Sequence, residues 1–250
     1  MLSYFVLDDR LPGASMKYFL PLILSINILF SSAAFAARSA EGSESLLFQA
    51  HEALVKANYG RAIAIYDSLL AQSKGDESAS FTIHTSRGIA RALAGQMVEA
   101  DADLASAAKA IPVSLEELKK RDARLLILVV QMYQWRYLTH LTLKKWNDAV
   151  NDIDSLRTIG AAAHNAGSLA DRAKLNMLVG QFELGLTQLS DASKMNPAYK
   201  FEFDFAKKSL ANEDSKSLYL AAIATQLIGS ASALKLGFQQ TLNTPKVTAK

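Results

Sequence analysis

Four small residues, Ala62, Ala100, Ala149 and Gly185, each stand in the same apolar frame. Three positions earlier come Tyr59, Met97, Trp146 and Phe182, and four positions later Tyr66, Leu104, Ile153 and Leu189. Seven positions later come Leu69, Ala107, Leu156 and Ala192. Positions 0, +4 and +7 share one face of a helix, so each frame predicts a helix whose small residue admits a close neighbour. The bulky residue at −3 then plugs the gap where an antiparallel helix turns into this one. Twelve positions before the anchors stand Ala50, Gly88, Tyr137 and Ala173, amid further apolar residues that predict the partner helix. Gly95 and Gly180 share position −5, where a left-handed helix end suits glycine. Pro112 and Pro197 share position +12, where proline ends the second helix.

The order of these frames predicts an all-α chain of stacked helical hairpins. Half the residues are hydrophobic, with only 12 Gly and 5 Pro, which favours long helices over turn-rich sheet. One hairpin cannot cover its own apolar faces, so copies must stack and the ends need caps. The anchors are unevenly spaced, with an insertion between copies two and three that begins Ser114-Leu115-Glu116-Glu117. That start has the form of a capping box.

The pattern resembles the tetratricopeptide repeat family over roughly residues 44–198, and the chain reads as an exported bacterial member. Arg87–Pro112 and Ala173–Pro197 are the fullest copies. Copies one and three lack the proline, and Tyr137 stands where a small residue belongs. The resemblance implies a right-handed helical-hairpin solenoid of about four repeats with a C-terminal capping helix. It also implies a concave groove, lined by first helices, that holds a peptide. The corresponding residues here are His51, Ile89, Leu138 and Lys174, with Thr85 and Gln134 one turn earlier in copies two and three. That mostly neutral set lacks a basic clamp for a carboxylate terminus, which points to a hydrophobic or extended peptide.

Met16-Lys17, the apolar run Tyr18–Phe30 and the triplet Ala34-Phe35-Ala36 have the layout of a secretory signal. Cleavage is expected between Ala36 and Ala37, with Met1–Ser15 as an extension ahead of the start. A retained anchor is the alternative, but the run falls short of the ~20 residues that cross a bilayer. The expected organisation is a leader over 1–36, repeats over 37–198, capping helices over 199–242 and a frayed tail over 243–250. The expected location is periplasmic or secreted.

The C-terminal part predicts an aromatic, charged helix from Tyr199 to Leu210, broken by Asn212-Glu213-Asp214. Ser217–Leu234 then carries no charge. It reads as a buried terminal helix, a dimer-forming helix or a membrane span, the last weakened by Thr225, Gln226, Gly229, Ser230 and Ser232.

The net charge of +3 gives no strong pull on nucleic acid. The Lys119, Lys120, Arg121 and Arg124 cluster is interleaved with acids and reads as a solvated helix face. There is no cysteine, and His51, His84, His140 and His164 have no metal-ligand spacing. No nucleophile elbow or phosphate loop occurs, so no catalytic, cofactor or metal site is expected. Asp101/Asp103 and Asp152/Asp154 diverge by about 200° on their helices and read as solvated faces. The functional expectation is an exported protein–protein interaction module, an adaptor or assembly scaffold. The alternatives are a self-associating structural protein using residues 217–234, and an enzyme on a helical scaffold.

Overall fold

The computed structural model describes residues 41–73, 76–111, 114, 117, 123–160 and 165–243. The Ala36–Ala37 site, Pro112, His164, Lys119–Arg121 and the tail beyond Asn243 lie outside them. The described chain is all-helical, with no strand. In order, the helices are α1 (Glu41–Val55), α2 (Tyr59–Gln72), α3 (Glu77–Leu93), α4 (Met97–Lys109) and α5 (Ala123–Thr142). There follow α6 (Trp146–Thr158), α7 (Ala166–Leu178), α8 (Phe182–Met195), α9 (Lys200–Leu210) and α10 (Glu213–Asn243).

Local chemistry explains several starts. Asn58, Asp76 and Asn165 accept backbone hydrogen bonds at the openings of α2, α3 and α7. The capping box is present: Glu117 N donates to Ser114 Oγ, and Ser114 N to Glu117 Oε2.

The joins α1–α2, α3–α4, α5–α6 and α7–α8 are one turn made four times. The residue five before each anchor is left-handed: Ala57 at φ 55°, Gly95 at 85°, Lys144 at 59° and Gly180 at 84°. The next amide donates back to the carbonyl five residues earlier, through Asn58 to Ala53, Gln96 to Arg91, Lys145 to His140 and Gln181 to Asn176. These are the 6→1 bonds of a Schellman motif. The four residues that donate these bonds, Asn58, Gln96, Lys145 and Gln181, then open the second helix, their carbonyls accepting from Ala62 N, Ala100 N, Ala149 N and Gly185 N.

All four anchors are buried, as are the residues at +4 and +7. The approach is closest in the last pair. A Cβ on Gly185 would lie 2.8 Å from the Ala173 carbonyl oxygen and 2.6 Å from Met177 Cγ. Tyr137, large where its counterparts are small, is nevertheless buried. Each second helix also packs on the next first helix, so α2 touches α3, α4 touches α5 and α6 touches α7.

The C-terminal elements depart from expectation in two ways. Pro197 opens a short 3-10 turn, Pro197–Tyr199, so α9 begins at Lys200. Glu213 and Asp214 do not break a helix; they form the first turn of α10, where acids suit the positive dipole end. The break sits at Ala211–Asn212, and Asn212 Oδ1 caps α10 by accepting from Asp214 N and Ser215 N. From there α10 runs back over the molecule and packs on α9, α7 and α5. Tyr219 and Ile223 join one core cluster, while Leu227, Ala231 and Phe238 join the other. It is buried only along that stripe, and Leu218 and Leu236 are 74% and 57% exposed. By length and composition α10 is also apolar enough to cross a membrane.

Candidate interaction face

Inside the helix pairs runs a polar ladder. In pairs two to four, the residue nine before the anchor meets the residue three after it. Arg91 Nη1 donates to Asp103 Oδ2 at 2.8 Å, and Asn176 Nδ2 donates to Gln188 Oε1 at 2.7 Å. His140 Nδ1 lies 2.6 Å from Asp152 Oδ2. The first pair has Ala53 and Ile65 at these positions. An arginine at −13 reinforces two rungs: Arg87 Nε donates to Asp103 at 2.9 Å and Arg136 Nε to Asp152 at 2.6 Å. His140 also links neighbouring pairs, with Nε2 2.8 Å from Asp101 Oδ1 on α4.

Asp103 and Asp152 are therefore buried ion-pair members, which corrects their reading as solvated. The divergence of carboxylates two residues apart is real, but it turns one of each pair inward. Their cations sit on the preceding helix, beyond any helix-local spacing. Burial alone would raise the Asp103 carboxyl, but hydrogen bonds from His84 and Arg87, with the Arg87 and Arg91 charges, hold it below the ordinary range. These carboxylates are engaged with cations and do not converge on a cavity. Among the described residues no cluster of His, Cys, Asp or Glu is arranged to hold a metal.

The six residues expected to line an open groove, His51, Thr85, Ile89, Gln134, Leu138 and Lys174, are all buried. The His51 ring stands edge-on to the Tyr66 ring with centroids 6.0 Å apart, its Nε2 lies 3.5 Å from Ser86 Oγ, and burial lowers its pKa to about 4. Thr85 Oγ1 donates to the Phe81 carbonyl, and Ile89 belongs to the core. Lys174 Nζ pairs with Glu202 of α9 at 2.8 Å. None of them presents a free surface. The mapping placed them by analogy with an open face, whereas these side chains pack between neighbouring helices.

The face they were meant to form is occupied where α10 lies against the first helices. Tyr219 Oη reaches Met177 Sδ of α7 at 3.7 Å. Further along, the Phe238 ring stands edge-on to Trp135 of α5 at 5.1 Å, and Gln239 Nε2 donates to the Leu93 carbonyl at 3.0 Å. That carbonyl is at the end of α3, where backbone acceptors lack helical partners. Between α10 and the C-terminal ends of α3 and α5 a cavity of about 430 Å³ remains. Ala92, Trp135, Leu138, Ala231, Lys235 and Leu236 are among its walls. A signal for this contact exists in the sequence, since Tyr219, Ile223, Leu227 and Ala231 recur every fourth residue. The chain matches no protein-family model, no curated protein and no solved structure.

Proposed function

We propose that the chain is an exported, tetratricopeptide-like interaction module whose first helices receive a helical segment of another polypeptide. The solenoid reading is supported by four identical turns and by the ladder that keeps their register. The export reading is supported by the apolar leader and its small-residue site. The observation that carries the binding reading is α10 itself, a helix seated by an apolar stripe on the helices α7 and α5. Helix-in-groove recognition uses this kind of contact.

A photoreactive amino acid in place of half-buried Thr142, a cavity wall, tests it in the native envelope. Discrete polypeptide adducts are expected there and not at Lys109, which is exposed and outside the cavity. Equal labelling at both positions, or none at Thr142, would refute the assignment.

A second reading, self-association, is favoured by the outward apolar residue Leu218 and by Phe201, 79% exposed and stacked on Phe205. A mass that rises with concentration in sedimentation is its signature.

A further inference from the structure

We infer that the C-terminal half of α10 is a displaceable occupant, and that the partner is an amphipathic helix with bulky apolar side chains where α10 has Ala231 and Lys235. This rests on the proposed binding function and names the partner's chemistry. The two halves of α10 are packed differently. Tyr219, Ile223 and Leu227 fill the near half with large buried side chains. In the far half Phe238 is the one large buried side chain, and the cavity of about 430 Å³ opens beside Ala231 and Lys235, so the seat is only partly filled there. A space of that size holds water, so the apolar atoms that line it keep a wetted surface that a better-fitting occupant would cover. Lys235 is a poor occupant for such a wall: burial pushes its ammonium down, and no carboxylate offsets this. The walls opposite are largely apolar, Ala92, Met97, Trp135 and Leu138, with Thr139 and Thr142 between them. A helix offering leucine or phenylalanine at those two positions fills the space that α10 leaves, and so outcompetes it. The face already selects for helical shape, because Phe238 and Gln239 engage Trp135 and the end of α3 only from a helix laid along them.

The test uses the whole chain and a fluorescent synthetic peptide of residues 213–243 carrying Ala231→Leu and Lys235→Leu, followed by anisotropy. Saturable uptake is expected, at least about tenfold tighter than for the unsubstituted peptide, from the extra apolar area covered. A protein with Thr142→Cys and Leu236→Cys, joined by a cleavable bis-maleimide, is expected to take up none until the tether is cut. The absence of native cysteine makes that tether selective. Equal uptake with and without the tether, no uptake by the free protein, or equal affinity for the two peptides would overturn the inference. A doubled mass in place of peptide uptake would also overturn it, assigning the face to α10 of a second copy. Adducts at Thr142 without peptide uptake would leave the binding function standing and remove only the displacement; uptake without adducts would do the reverse.

Discussion

Ala57 and Lys144 hold the left-handed backbone that Gly95 and Gly180 hold in the other two pairs, and glycine at all four positions should make the chain more stable. A side chain in that conformation costs ~1–2 kcal/mol. Glycine returns about 0.4–1 kcal/mol of that by loosening the unfolded chain. The net gain is about 0.5–1 kcal/mol for each of Ala57→Gly and Lys144→Gly. The two turns belong to different pairs, so the effects add to about 1–2 kcal/mol. For a domain of this size that raises Tm by roughly 2–8 °C. The reciprocal changes separate strain from crowding. A Cβ on Gly95 or Gly180 would meet nothing within 4 Å, so Gly95→Ala and Gly180→Ala report backbone strain alone. Each should lose about 0.5–1 kcal/mol by the same reasoning. Far-ultraviolet circular dichroism during heating, with urea titration for ΔG, measures all four. Destabilisation by Ala57→Gly and Lys144→Gly, or indifference to Gly95→Ala, would show that the four joins are not one turn.

Four further outcomes follow from burial or its absence. Asp152→Ala takes the carboxylate partner from part-buried Arg136 and leaves His140 only Asp101, and should cost about 3 kcal/mol in urea titration. Asp154→Ala, at a carboxylate 43% exposed, should cost at most ~1 kcal/mol. Gly185→Ala drives a methyl group against the Ala173 carbonyl and should cost about 1–3 kcal/mol by the same assay. Burial lowers the folded pKa of His51 to about 4 from the ordinary 6.5 of the unfolded chain, so its contribution is complete above pH 6.5. It is lost as pH falls toward 4, because the unfolded chain binds the proton first; the full loss is about 3 kcal/mol. A His51→Gln variant should therefore show a shallower fall in stability between pH 6.5 and 4.

The helical frames were legible because they are short-range: a small residue with partners at +4 and +7 needs only the helix period. The turn was legible where glycine marks it and hidden at Ala57 and Lys144, where the surrounding hydrogen bonds impose the conformation on other residues. The ladder was hidden for a different reason. Asp103 and Asp152 look like ordinary surface acids until the preceding helix brings Arg91 and His140 against them. The docking of α10 on α5 and α7 was hidden because α10 conceals its orientation. Ala221, Ala222, Gly229 and Ala233 make its outward side nearly as uncharged as its buried stripe, so the side that docks does not stand out.

The folded-back course of α10 is best tested by the emission of Trp135, measured in a Trp146→Phe background with a nitroxide on Leu236→Cys. Residues 135 and 236 line the same cavity, so the account predicts emission strongly quenched in the native protein and recovered in urea. Native emission equal to that of the unlabelled protein would place α10 away from the helices it is said to cover.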